Sequence, residues 1–367
     1  MRVRCITLSM LSFIFTATLF AQTTNPIVTF VYVGENATAP TKISAFAVRQ
    51  NGLVQTVSGS PFTGPSLSLV ASSGFVRGTD GKNIATYIRH SNGALQTIST
   101  IDGTAHNDTP TGSSVGDLTL DRTARSLYVG EFDFQGADNN AYAEFAAELN
   151  GTLVFQQNSN IDVDFAGPLE FSHDNQFAYG TGCFMVTWDV FGFHRLTDGT
   201  LVFFDPGTTV PPAEGSEDLC PGEAATSAKG FLAVAFGAAT NTGKRSLITY
   251  RITSTGGLQE ITSSVLATNF TAINGLRFDP TGNFLAVAGQ NGVELFRLNT
   301  TTGTLSRLGP VADTGVNFQA VRWDNFGHVF AISHAALHVF IAHSTGLTDI
   351  SAHGVANPGS LAVLPIQ

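Results

Sequence analysis

The sequence predicts an all-β protein: a seven-bladed β-propeller of four-stranded antiparallel blades, with the ring closed by the C-terminal strand. Three observations carry this. Apolar and polar side chains alternate with period two along the chain, and Gly, Pro, Asn and Asp gather between the runs, the pattern of short strands and tight turns. A glycine followed within two residues by Leu recurs at Gly52, Gly93, Gly151, Gly199, Gly257, Gly303 and Gly346, at intervals of about 40 to 60 residues, the period of a propeller blade. Finally, Thr29–Val33 fits the second strand of a unit whose first is missing, while Ser360–Leu364 fits a first strand with nothing after it. Pairing the two removes both sheet edges.

The clearest unit runs from Asn274 to Gly315. Gly275–Asp279 alternates, Pro280-Thr-Gly282 turns, Asn283–Gly289 is apolar, Gln290-Asn-Gly292 turns again, and Val293–Leu298 alternates before Thr304–Val311. The other blades follow this template. Ser66–Gly103 is the second blade and Gly116–Val163 the third, with an insertion at Glu131–Asn140. Pro168–Pro206 is the fourth, and a Pro-, Gly- and acid-rich loop, Asp205–Glu223, leads into the fifth. Phe318–Gly354 is the seventh. The 29 phenylalanines suit the layers between blades.

The N-terminus has two arginines, Arg2 and Arg4, before an apolar run ending near Phe20, with Ala21 as a small residue for cleavage. Residues 1–21 therefore read as a signal peptide and 22–367 as one propeller domain, exported to the periplasm or secreted, with no stable membrane span. The net charge of −10 argues against nucleic acid as a partner. Cys183 and Cys220 are expected in loops of neighbouring blades, either bridged or as two free thiols.

Phe278-Asp-Pro-Thr-Gly-Asn-Phe-Leu-Ala-Val-Ala288 and Val293-Glu-Leu-Phe-Arg-Leu298, echoed by Phe171–Tyr179 and Leu127-Tyr-Val-Gly130, resemble the seven-bladed lactonase propellers typified by 6-phosphogluconolactonase. The resemblance implies a monomeric hydrolase of a sugar or related lactone, without a cofactor. It also implies a site built from a His before the blade-four Phe, a Glu after that blade's second strand and an Arg from another blade. Pro168-Leu-Glu-Phe171 has no His, Gly180-Thr-Gly-Cys183 has no Glu, and Gln290 stands where the Arg is expected. No catalytic set is carried over.

Turns joining second to third strands share one face with the links between blades, the default ligand face. The strand assignment gathers Glu35, Arg77, Asp80, His106, Glu131, Asp133, Glu223, Gln290 and His334 there. Lactone hydrolysis needs a base for water and a cation or donor for the oxyanion. Glu131 with His106 is the expected base and Arg77 the expected cation, with Glu35, Asp133, Gln290 and His334 binding around them. No metal is expected, since His338 and His343 fall on opposite faces of a strand. Gly112-Ser-Ser-Val-Gly116 matches the nucleophile-elbow string but precedes a strand with no helix after it. The second functional class consistent with the sequence is a non-catalytic propeller that binds a protein or glycan on this face.

Overall fold

The computed structural model describes residues 25–36, 41–72, 74–106, 114–132, 140–161, 167–183, 188–207, 219–238, 246–261, 266–267, 270 and 272–366. Apart from a short 3-10 turn, Gly103–His106, the regular elements among them are strands. They form seven antiparallel sheets, each read here from the axis outward. Blade six runs Ile273–Phe278, Phe284–Gly289, Gly292–Leu298 and Leu305–Ala312, and blade seven Phe318–Trp323, His328–Ser333, Ala336–His343 and Gly346–Gly354. Blade one is composite, with the C-terminal strand Pro358–Pro365 innermost, followed by Ile27–Glu35, Lys42–Arg49 and Val54–Thr56. Phe30 pairs with Leu364, Val31 with Val363, Tyr32 with Ala362 and Val33 with Leu361, which is the closure the sequence predicts.

The cores lie between blades rather than within them. Phe30, Tyr32, Val76 and Tyr87 pack blade one on blade two, and Phe177, Tyr179, Phe236 and Tyr250 pack blade four on blade five. A tyrosine in the second strand of three blades ties each to its neighbour: the hydroxyls of Tyr32, Tyr128 and Tyr179 donate to the carbonyls of Gly93, Gly199 and Gly256. Those glycines have φ of 88°, 98° and 85°, so the recurring glycine is conformational in origin. In blade five that residue is Gly256, not the adjacent Gly257 of the sequence pattern.

The first strand of blade five, Leu219–Ser227, begins inside the stretch expected to be loop. Residues 208–218 lie outside the described residues, as do the N-terminal segment 1–21 and Asp133. Cys183 ends a strand and Cys220 lies within one, not in loops, and their side chains fall outside the description.

Candidate active site

The innermost strands ring the axis and enclose a cavity of about 260 Å³, walled by Leu69–Ala71, Leu118–Leu120, Pro168–Phe171 and Leu361–Val363, with Arg122, Arg277 and Arg322. One repeat position, just before the turn that ends the innermost strand, supplies its charge. In blades four, six and seven it is Glu170, Arg277 and Arg322, where blade five has Ala225 and blade two Val70. Arg277 Nη1 reaches Glu170 Oε1 at 2.6 Å, spanning blade five. Arg122 comes from the turn of blade three, and its guanidinium donates to the carbonyls of Phe171 and Ser172 and to Thr226 Oγ1 at 2.7–3.0 Å.

A second set of polar residues arises from backbone irregularity. The innermost strands of blades three, five, six and seven each carry one extra residue relative to the partner strand, at Gly116–Asp117, Gly222–Glu223, Asn274 and Gln319. A bulge re-aims the side chain it carries and breaks the alternation that would bury it between blades. Asp117 and Glu223 thereby join the electrostatics of the axis. Burial pushes the Glu223 carboxyl up to about 7, against the pull of Arg322 and Arg277, while Asp117 and Glu170 add to the rise. Burial also raises Asp117, opposed by Arg322 and a hydrogen bond to Ser68. Asp117 keeps an exposed surface and Glu223 is half-buried, and both lie near the residues that wall the cavity rather than among them.

Arg322 is the least committed of the three arginines. Arg277 is paired and Arg122 is taken up by carbonyls, whereas Arg322 donates through Nη1 to the backbone carbonyl of Val321 at 2.8 Å and is in no ion pair among the described residues. Burial brings its pKa down to about 10, with Arg277 adding to the shift. A half-buried cation beside a carboxyl titrating near neutrality is an arrangement able to hold an oxyanion and accept a proton.

The residues expected from sequence do not converge in this way. Arg77 is not on the loop face: it lies mid-strand, 1% exposed, where blades one, three and four place their inter-blade tyrosine. The shared position is legible in Val31-Tyr32-Val33-Gly34, Leu127-Tyr128-Val129-Gly130 and Val76-Arg77-Gly78. His106 is exposed, with its ring stacked on Phe155 at 4.0 Å. Glu131 and Glu35 are buried at the ends of equivalent strands, and Glu35 accepts from Ser44 Oγ at 2.7 Å. Asp80 is tied into its own turn by Lys82 and Asn83. Gln290 bridges to Asn317, and His334 Nδ1 meets Gln319 Nε2 at 2.8 Å. Glu170, Arg277 and Arg322 were missed, although each precedes an aromatic residue at the same repeat position: Glu-Phe171, Arg-Phe278 and Arg-Trp323.

Fold and site together define a closed seven-bladed propeller with a charged axial cavity. Residues 166–319 match the family model described as Lactonase, 7-bladed beta-propeller, and over that stretch the chain is similar to this family. A putative 6-phosphogluconolactonase of Bacteroides fragilis superposes with TM-score 0.71 at 17% identity, over 92% of this chain and 98% of that one. A periplasmic gluconolactonase of Pseudomonas aeruginosa gives 0.70 at 18% identity, over 92% and 99%. A protein of Lactobacillus plantarum gives 0.68 at 14%, over 92% and 100%. At these identities the likeness is one of fold. Comparison with curated protein sequences finds no match. Among the described residues no helix is long and apolar enough to cross a membrane.

Proposed function

We propose that this chain is an exported hydrolase of a small sugar or related lactone, working at the axial cavity. The observation that carries this is Arg322, a guanidinium on the cavity wall that is in no ion pair among the described residues and lies within electrostatic reach of Glu223. The match of residues 166–319 to the lactonase model supports the reaction class. The apolar stretch after Arg2 and Arg4 and the fold likeness to a periplasmic gluconolactonase support export with removal of residues 1–21.

In this mechanism the lactone carbonyl oxygen lies against Arg322. The Glu223 carboxylate takes a proton from water as that water adds to the carbonyl carbon. The tetrahedral oxyanion is held by the guanidinium. Collapse breaks the ring C–O bond, and the proton on Glu223 passes to the departing alkoxide, leaving an open-chain hydroxy acid. Arg277, tied to Glu170, keeps a second cation nearby that favours the ionised form of Glu223.

The test is hydrolysis of a panel of small lactones by the mature protein and by Glu223→Gln, Arg322→Met, Glu131→Gln and Arg77→Ala variants. The axial mechanism requires a loss of at least about 100-fold in kcat with Glu223→Gln and Arg322→Met. Loss with Glu131→Gln or Arg77→Ala instead would return the site to the residues first expected. No turnover of any lactone would favour the non-catalytic binding module.

A further inference from the structure

At five blade interfaces the outer turn of one blade closes over the start of the second strand of the blade before it. Gly93 sits on Phe30, Gly151 on Phe75, Gly199 on Ser126, Gly256 on Phe177 and Gly303 on Phe231. The approach is close enough that a Cβ at Gly151, Gly256 or Gly303 would lie 2.7, 2.5 or 2.5 Å from the ring beneath. A glycine backbone thus lies directly against a phenylalanine ring at four of these interfaces.

The interface between blades six and seven breaks the pattern. His343 pairs directly with Gly346, so the turn of blade seven has only two residues between its strands and stops short. Gly346 packs instead on Gly309 and Leu308, and Phe284, the counterpart of Phe231 and Phe177, is left half-buried. A cavity of about 420 Å³ opens above it, lined by Phe284, Trp323, Pro280 and Ala342 and rimmed by His343 and Ser344. This volume is within the range of small-molecule sites.

The carboxylates at this cavity are already committed. Asp279 Oδ1 accepts from the amides of Asn283 and Phe284, and its Oδ2 from Thr281. Asp324 accepts from the amides of Phe326 and His328, from Thr29 Oγ1 and from the His328 ring. Trp323 Nε1 donates to Arg277 O at 2.9 Å. Apart from Asn325, Gly327, His343 and Ser344, the faces left for a ligand are aromatic and aliphatic, and no uncommitted carboxylate, lysine or arginine lines the cavity to balance an ionic guest. A planar group seated where the other blades seat their glycine turn would gain offset or edge contacts with the rings of Phe284 and Trp323.

We propose that this cavity is a second binding site, separate from the axis, for an uncharged aromatic ring bearing a hydroxyl or amide that reaches His343 or Ser344. The probe is 4-fluorophenol, followed by 19F NMR line-broadening and shift on titration with the full-length mature protein. Saturable binding is expected. It should weaken at least about 10-fold in Phe284→Leu and disappear in Ala342→Trp, which fills the cavity, with both variants retaining the parent melting profile. Arg322→Met should leave binding unchanged, so failure of the hydrolase assignment would not affect this result. Absence of saturable binding, binding retained in Ala342→Trp, or binding lost in Arg322→Met would each overturn the proposal. So would a titration with glucose that binds more tightly than the phenol.

Discussion

Replacing Arg77 with tyrosine should stabilise this protein. Arg77 is 1% exposed between blades two and three, and its Nε and Nη1 have no hydrogen-bond partner among the described residues. Opposite it across the strand pair, Thr86 Oγ1 is also buried without a partner. Burial lowers the Arg77 pKa to about 10 from arginine's ordinary value. At 1.36 kcal/mol per unit, that corresponds to roughly 3 kcal/mol of destabilisation carried by the charged form. The compensation on the page is a cation–π contact with Phe75 at 5.6 Å, about 1 kcal/mol. Tyrosine removes the charge and places a hydroxyl where Tyr32, Tyr128 and Tyr179 reach the next blade's glycine carbonyl, here that of Gly151, for about 1 kcal/mol more. The net expectation is a gain of about 2 to 3 kcal/mol at pH 7 and a rise of a few degrees in Tm. Arg77→Met isolates the charge and should give most of the gain. Because the folded-state pKa is depressed, the destabilisation is fully present at neutral pH and is relieved only as pH rises through about 10. The difference between parent and Arg77→Met should therefore hold up to about pH 10 and shrink only above it in urea titrations. If both variants are no more stable than the parent at pH 7, the reasoning is wrong.

Three further outcomes are expected. With Glu223 as the base, kcat/KM should rise with pH through an apparent pKa near 7, since the ionised form is the active one, and a profile flat from pH 5 to 9 would exclude that role. Glu144 is fully buried between blades three and four, where Ser159, Gln157 and the amide of Leu201 donate to it, yet burial pushes it up to about 7. Its raised pKa means stability falls as pH climbs from the ordinary glutamate range through about 7, so Glu144→Gln should flatten the urea midpoint over that window, with an effect of roughly 2 to 3 kcal/mol between pH 5 and 8. Deleting residues 358–367 strips the inner strand from blade one and exposes the edge Thr29–Glu35. Size-exclusion chromatography should then show association or loss of soluble protein, and a monomer of unchanged Tm would contradict the closure.

The repeat was legible because its causes are local. Period two sets strand faces, and a left-handed turn residue demands glycine, so Gly93, Gly199 and Gly303 could be aligned without knowing what they touch. Closure by Ser360–Leu364 followed from counting strands and finding one short at one end and one over at the other. Arg77 could have been recognised as a substituted tyrosine by the same alignment, had the repeat been extended to that position. The axial charges were not legible in this way, because Glu170, Arg277 and Arg322 sit inside strands and not on the loops where ligand chemistry is usually carried.

What the sequence determined by itself was the all-β unit, its sevenfold repetition and the two strands that meet at the seam, because each depends on contacts within a strand, a turn or one matched pair of ends. What only the tertiary structure decided was the axial charge cluster and the aromatic cavity between blades six and seven. Arg277 and Glu170 are 107 positions apart and meet because closing the ring brings the innermost strands around one axis. Glu223 sits at an extra residue in its strand, which alternation in the sequence cannot announce, and its carboxyl is within the electrostatic influence of Arg322. Phe284 is left uncovered because a turn in the next blade is too short to reach it.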